Sequence, residues 1–566
     1  MQFDLNHVPF SRFGSYFSIR AMDVDKNGGS QKPGLYLNSN HGSIRNSNIF
    51  DIELLIDDQI VPYKYTVTPS KLRLECKNGY VDICISEHNL IRIKGNGAGL
   101  RLARTTSRYD YLVTESSTQW MLNSSQLQFN LMIHLLAGRA EVTAPFKIDT
   151  SESIVFDFRA EEKNGNFEAA IEEFDVSYTG KPDFEDFDAA IAKVEDEFSL
   201  WLSKTLEADE SLRNGRELAT YLLWSCTVHP EGFLKRPAVL MSKNSMDSIW
   251  SWDNCFNAMA LAKNNPELAW DQLMIFVDHQ HSSGVFPDLM NDRKILRNFC
   301  KPPIQGWILN WMMQRGYISQ EAYLKEIYKP LCLWTDWWFN FCDHDHDGIP
   351  QYNHGNDSGW DNSTIFKDGI PVESPDLAAF LVLQMEVLER IASMLGLNSE
   401  AKHWEERTEA TLKAMLEHFW DGRRFTSNIS GTHKPIESES LQLYIPLILG
   451  ERLPKDVINC LVNDLKQENR FLTEYGLGSE SISSDLYIED GYWRGAIWPP
   501  VVMLFCDALA SIGEKNFSQA LAQKYCNMAL KSGMAENYNA LTGAGLRDRG
   551  HTWAASVFLV LANEYC

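Results

Sequence analysis

Up to about residue 180 the chain reads in short steps. Runs rich in Val, Ile, Tyr and Thr, at Asn48–Ile56, 71–74, 80–85, 90–93 and 126–136, are punctuated by KNG, GNGAG and LAG. Successive side chains of a strand point to opposite faces, so short alternating runs between turn residues predict strands, and their spacing predicts an antiparallel β-sandwich. Near residue 184 the period changes. The stretch 184–206, FEDFDAAIAKVEDEFSLWLSKTL, repeats its apolar positions every three or four residues and predicts a long linking helix. Helical periodicity then recurs at 217–226, 253–262, 268–280, 320–341, 376–395, 400–419, 455–466, 501–512 and 517–532. Loops rich in Gly, Pro, Asn and Asp separate these segments.

The expected division is a β-sandwich over 1–180, a linker helix over 181–209 and a helical catalytic domain over 210–566. The last span holds 357 residues, room for roughly twelve helices at about 30 residues per helix and loop. Twelve helices in pairs could close into a double ring with loops forming a pocket at one end. The fold class is therefore multidomain, α and β.

Composition narrows the function. The formal net charge is −24, which argues against nucleic acid, since phosphate binding needs a basic face. No run of some 18 or more apolar residues exists, so no membrane span is expected, and the first twenty residues lack the pattern of a secretory signal. Eleven cysteines without a Cys-x-x-Cys pair suit reduced, buried residues of a cytoplasmic protein.

Sixteen of the seventeen tryptophans lie at or after Trp201. Core packing explains any one of them, but Trp250, Trp252, Trp360, Trp493, Trp498 and Trp553 all stand beside Gly, Asp, Arg or Pro. Sugar rings stack their C–H faces on aromatic planes and need polar groups for their hydroxyls, so the set favours a carbohydrate pocket.

Two loops carry candidate acid–base chemistry. HGNDSGWDNST, 354–364, holds Asp357 and Asp361 beside Gly359 and Trp360. An aromatic shield raises a carboxyl pKa and suits Asp361 to a general acid, although either Asp alone could equally close an Asx-turn or cap a helix. AENYNALTGAG, 535–545, holds Glu536 at the expected end of a helix. There Asn537, Tyr538 and Asn539 would keep it ionised as a base, or it is simply a solvated helix end. IWSWDNCFN places Trp252 and Asp253 among aromatics, DGYWRGAIWPP adds Tyr492, Trp493, Arg494 and Trp498, and GVFPD and KPPIQGW are short rigid loops.

Taken in order, WSWDN, GVFPD, KPPI, DSGWDNS, GYWRGAIWP, ENYN and HTWAAS resemble the clan of (α/α)6-barrel glycosidases. That clan includes the trehalases and glycoside hydrolase family 63 with its mannosylglycerate and glucosylglycerate hydrolase relatives. The resemblance spans about 245–560 and implies an N-terminal β-sandwich followed by an (α/α)6 barrel, with an inverting mechanism. It assigns Asp361 as general acid and Glu536 as general base. Its pocket would be lined by Trp252, Asp253, Gln280, Trp307, Gly359, Trp360, Tyr492, Trp493, Arg494, Trp498, Asn537, Tyr538 and Trp553. Asp357 replaces the Glu usual in trehalases and His551-Thr552-Trp553 replaces a Phe-Gly-Trp type motif, which sets trehalose apart.

The resulting expectation is an exo-acting α-glucosidase on a small α-linked saccharide that requires no cofactor. The alternatives are an α-mannosidase or a glycosylglycerate-type hydrolase with an anionic leaving group, or, in another class, a silent glycan-binding protein. DHDHDGI, 343–349, resembles the start of a calcium loop and makes Asp343, Asp345 and Asp347 candidate ligands of a structural calcium, against the plainer reading of a tight turn. Arg293, Lys294, Arg297 and Lys301 form a basic cluster that reads as a solvated loop or as the seat of an anionic leaving group.

Overall fold

The computed structural model describes residues 1–22, 33–42, 47–162, 165–180 and 183–566. Contacts divide the chain into two units. One is Met1–Lys204 with Thr220–Pro230 and Ser242–Asp247; the other is Thr205–Ala219, Glu231–Met241 and Ser248–Cys566.

The first unit is built on two antiparallel sheets. One runs in the order Phe17–Met22, Gly34–Ser39, Asn48–Ile56, Gly99–Arg104, Ile154–Arg159, Arg139–Thr143, with Gln59–Val61 as a side branch on Asn48–Ile56. The other runs Tyr111–Ser116, Gln119–Ser124, Phe129–Ala137, Asn166–Phe174, Leu90–Asn96, Gly79–Glu87, Leu72–Cys76, Lys64–Val67. Alternate residues of both sheets enter one apolar core: Ile52, Leu54, Leu100, Leu102, Phe156 and Phe158 from the first, and Leu74, Ile83, Ile91, Ile93, Leu131 and Ile133 from the second. Period-two alternation buries one face of each sheet and leaves much of the other polar, except in strands such as Gly79–Glu87, which are buried on both faces.

The helix expected as a linker is Phe187–Ser203, started by the Asp186 side chain, which accepts the amide N–H groups of Asp188 and Ala189. It is not a free connector. Phe187, Ala190, Val194 and Phe198 form a buried stripe, and the helix packs on strand Gly79–Glu87 within the first unit. An apolar stripe of that width needs a surface to bury against, and a sheet supplies it. Residues 181 and 182, the start of the expected linker, lie outside the described residues.

In the second unit, helices pack as consecutive pairs: Asp253–Leu261 on Pro266–Val277, Pro375–Met394 on Asn398–Phe419, and Pro499–Ser511 on Lys515–Ser532. A second set of contacts links every other element. Asp253–Leu261 touches Gln305–Gln314, which touches Pro375–Met394, which touches the 3₁₀ segment Leu441–Arg452. The path continues through Pro499–Ser511 to Thr552–Glu564 and returns to Asp253–Leu261. Close approach within this ring depends on Gly306: a Cβ there would come within 2.3 Å of the Gln384 backbone. No helix among the described residues is long and apolar enough to cross a membrane.

Candidate active site

The chemistry-bearing residues sit in the loops that lead into helices of that ring, or at their first turns. Trp252 and Asp253 open Asp253–Leu261, Lys301 precedes Gln305–Gln314, and Asp361 precedes Pro375–Met394. Trp498 caps Pro499–Ser511, while Glu536 and Trp553 flank the start of Thr552–Glu564. Ring closure thus collects at one end residues that are far apart in sequence.

The loop of Asp361 is locked from within. His354–Ser358 forms a 3₁₀ turn whose Asp357 carboxylate accepts the backbone N–H of Cys300 at 3.2 Å and of His354 at 3.1 Å. Asp357 is consumed by structure, which leaves Asp361 as the loop's free carboxyl. Gly359 turns the chain at φ 74, and a Cβ there would stand 2.8–3.1 Å from the Trp252 ring, so only glycine lets the loop lie against that indole. Burial raises the pKa of Asp361, opposed by the Lys301 ammonium, His354 and the Tyr492 hydroxyl.

Glu536 departs from expectation. The helix ends at Ser532 and turns at Gly533, and Glu536 lies on the following turn with its N–H on Asp548 O at 2.8 Å. Two of the three expected donors are engaged elsewhere. The Tyr538 hydroxyl donates to Gly533 O, and the Asn539 side-chain oxygen accepts the N–H groups of Leu541 and Thr542. Glu536 is 6% exposed, and burial with the nearby Asp548 charge raises its pKa to about 7, against the pull of Arg547 and hydrogen bonds that include Tyr492.

Tyr492 lies close enough to influence both carboxyls. Its hydroxyl interacts with both Asp361 and Glu536, lowering the pKa of each. Burial and the charges of Glu536, Asp361 and Asp253 push its own pKa upward, so it remains a donor. Its backbone is left-handed at φ 64, a conformation that a bulky residue holds only where its surroundings impose it.

Four indoles form a closed circuit beneath: Trp252 to Trp493 at 6.1 Å, Trp493 to Trp498 at 3.8 Å and parallel within 3°, Trp498 to Trp553 at 5.6 Å, Trp553 to Trp252 at 6.0 Å. Trp360 lies on Trp493 at 4.6 Å and Tyr492 on Trp498 at 4.9 Å. All five indoles are buried, largely against one another. Their N–H groups brace the site: Trp553 donates to Glu536 O at 3.0 Å and Trp498 to Tyr492 O at 3.2 Å.

The basic cluster does not act as a unit. Lys301 turns inward, 5% exposed, with Nζ 3.4 Å from Asp288 and 4.0 Å from Asp361, and it donates to Asn356 O and Oδ1. Arg297 instead donates to His279 O, and Arg293 pairs with Asp292. Asp253 is buried with one carboxylate oxygen lacking a partner. Burial raises its pKa to about 8 even though Lys301 opposes the shift, which favours its protonated form. Asn537 is fully buried and neither polar atom of its amide has a protein partner.

Three residues expected in the pocket are committed elsewhere. The Arg494 guanidinium donates to Leu486 O, the Trp307 indole N–H to Asp507 at 2.9 Å, and Gln280 to Gly284 O and Pro330 O. They hold loops and helix ends rather than offering free groups. Sequence reasoning offered Lys301 only as part of a basic cluster and did not single out Asp288, Asn362 or Arg547. Lys301, Asp288 and Asn362 lay inside quoted motifs, KPPIQGW, GVFPD and HGNDSGWDNST, while Arg547 carried no signal. His551, in the motif that departs from the trehalases, is buried with its ring tilted against that of Trp553 at 4.6 Å, and burial lowers its pKa to about 3.

A family model described as the mannosylglycerate hydrolase MGH1-like glycoside hydrolase domain matches residues 246–554, more than half of the chain. The chain belongs to this glycoside hydrolase family. Its curated relatives include a glucosylglycerate hydrolase of Mycolicibacterium hassiacum, 22% identical over 55% of this chain and 91% of the relative. They also include a mannosylglycerate hydrolase of Rubrobacter radiotolerans, 20% identical over 56% and 90%. Among solved structures, a family 63 mannosylglycerate hydrolase of Thermus thermophilus in complex with glucose superposes with a TM-score of 0.53, at 18% identity, over 60% of this chain and 98% of that one. A bacterial glucoamylase complexed with acarbose matches 97% of this chain and 96% of its own at a TM-score of 0.60 and 12% identity. The second likeness extends over the sheet-rich unit as well. The family is one of glycoside hydrolases, and this chain is a glycoside hydrolase.

Proposed function

We propose that the enzyme is an inverting hydrolase of small α-linked glycosides with an anionic, glycerate-like leaving group. Asp361 would protonate the departing oxygen while Glu536 takes a proton from the attacking water. The observation that carries this is Tyr492, whose hydroxyl interacts with both carboxyls although 175 residues of sequence separate them. In single displacement the two carboxyls stand roughly 6.5–9.5 Å apart with water on the far face of the sugar. A phenol shared between the pair suits that spacing better than a direct carboxyl–carboxyl contact. Two carboxyls and water complete the reaction, so no cofactor enters the scheme.

The relatives' names support the glycosylglycerate reading over a general α-glucosidase. Asp253 and Asn537, with buried polar atoms lacking protein partners, are suited to sugar hydroxyls, since an unsatisfied buried group gains most from a matching ligand. The closed ring of alternate helices is, in this reading, the inner layer of an (α/α)6 barrel, and the two facing sheets form a β-sandwich before it.

The test is proton NMR of the enzyme with glucosylglycerate, mannosylglycerate, the corresponding neutral glycosylglycerols, trehalose and the glucobioses. First release of the β-anomer, from a glycosylglycerate at least tenfold faster than from its neutral counterpart, is the expected result. First release of the α-anomer would overturn the mechanism, and equal rates on neutral substrates would overturn the leaving group.

A further inference from the structure

Away from the active-site carboxyls, at the base of the loop that carries Asp361, five titratable side chains converge. Of the three aspartates of 343–349, Asp343 points elsewhere, accepting the backbone N–H of Gly348 at 3.0 Å. Asp345 and Asp347 turn instead toward His433. The His433 Nε2 atom is 2.9 Å from Asp345 Oδ2, 3.5 Å from Asp347 Oδ2 and 3.9 Å from Glu373 Oε1. One ligand atom from each of these four residues falls within 4.8 Å of the others. Around a tetrahedral ion with bonds of about 2.0–2.1 Å, ligand atoms stand about 3.3 Å apart, so the four need little adjustment to share one.

Glu373 is the independent pointer to a ligand. It is fully buried, and its Oε1, the oxygen facing His433, has no hydrogen-bond partner. Its other oxygen, Oε2, is 2.6 Å from His418 Nε2. A buried carboxylate with one oxygen held and the other bare is costly unless a cation meets it. A histidine on the far oxygen is how proteins orient a metal-binding carboxylate. His433, with 43% of its side chain exposed, leaves an entry path.

We propose that Asp345, Asp347, Glu373 and His433 bind one divalent transition-metal ion of the zinc or cobalt kind, with His418 orienting Glu373. The imidazole ligand distinguishes this from a calcium loop, whose donors are oxygens. The ion would tie together the strands that bracket the Asp361 loop: Gln351–Tyr352 before it, Val372–Glu373 after it, and Ser427–Ile429 and Lys434–Ile436, which flank His433 in sequence. It would stiffen the loop's base and take no part in the displacement.

The full chain, stripped with chelator, is titrated with Zn²⁺ by calorimetry, and the cobalt-loaded form is read by its visible spectrum. We expect one equivalent of zinc, affinity lowered at least tenfold in His433→Ala and in Glu373→Gln, and a zinc-dependent rise in Tm that both variants lose. Asp345→Asn, at a partly exposed position, serves as a third variant should Glu373→Gln fold poorly by circular dichroism. Full displacement of zinc by equimolar Ca²⁺ would overturn the ligand assignment. No binding to the wild type, or binding unchanged in all three variants, would overturn the site.

Discussion

Asn362 ties the loop of the candidate acid to the loop of the bridging tyrosine through Trp493. Its side-chain oxygen accepts the Trp493 backbone N–H at 2.9 Å, and its side-chain NH₂ donates to Gly491 O at 3.0 Å. The residue after Asp361 thus grips the peptides on both sides of Tyr492, and the left-handed backbone of Tyr492 is held in place by a neighbour of the acid it touches. Asn362→Ala should therefore lower kcat about 10- to 100-fold, as a misplaced catalytic group does, while costing only about 1–2 kcal/mol of stability. Steady-state kinetics beside a urea melt measures both, and a loss of stability without loss of kcat would contradict it.

As the proposed base, Glu536 should set the acid limb of the pH profile. A base must be ionised, so kcat/KM should fall as pH drops through about 7, the value to which burial and Asp548 raise it. Asp548→Asn removes a repelling charge and should move the limb to lower pH. Arg547→Gln removes an attracting one and should move it to higher pH. Shifts in the same direction would refute the assignment.

The same carboxyl should leave a mark on stability. Its folded pKa, about 7, lies above the ordinary 4.5, so folding takes up a proton between these values. The stability this group contributes is full at low pH and is lost as pH rises to about 7. Glu536→Gln should consequently melt higher than the wild type at pH 8 and lose that advantage at pH 4.5. Differential scanning calorimetry at both pH values reads it.

Gly359→Ala would drive a methyl into the Trp252 ring at a φ of 74. The expected cost is about 1–3 kcal/mol from strain and overpacking, with a drop in kcat/KM because the displaced backbone carries Asp361. An alanine variant with unchanged melting and kinetics would show that the loop does not depend on this contact.

Lys301 is the buried counter-ion that lowers the pKa of Asp361, Asp288 and Asp253 alike. Lys301→Met should destabilise the fold by about 3–5 kcal/mol, the usual result of removing one partner of a buried charge cluster. It should also move the alkaline limb of kcat/KM to higher pH, because an acid with a raised pKa stays protonated longer. A pH–rate profile on the purified variant decides the second point.

Much of the fold was readable before any coordinates. Strand Asn48–Ile56 and helices such as Glu321–Phe341, Asn398–Phe419 and Lys455–Leu465 lie within a few residues of where periodicity predicts them, because each buries one face and leaves the other in water. Gln305–Gln314, Leu441–Arg452 and Thr552–Glu564 were passed over. They are buried almost all round, which leaves little polar face to mark a period. The equally buried Asp253–Leu261, Pro375–Met394 and Pro499–Ser511 were nevertheless read, so burial alone does not separate the two groups.

For the site, sequence alone nominated which residues would carry chemistry. The order of motifs singled out Asp361 and Glu536 and placed Tyr492 among the residues expected to line the pocket, since a resemblance spread over seven short motifs does not depend on their spatial arrangement. Tertiary structure decided the environment of each. It made Asp357 a lock, turned Lys301 from an apparent surface charge into a shared counter-ion, and withdrew Arg494 and Trp307 to structural bonds. It also buried Glu536, where a solvated carboxylate was expected, and gathered Asp345 and Asp347 with Glu373 and His433. Burial and through-space charge depend on what the chain brings within a few ångströms, and residues hundreds of positions apart in sequence meet only when the ring closes.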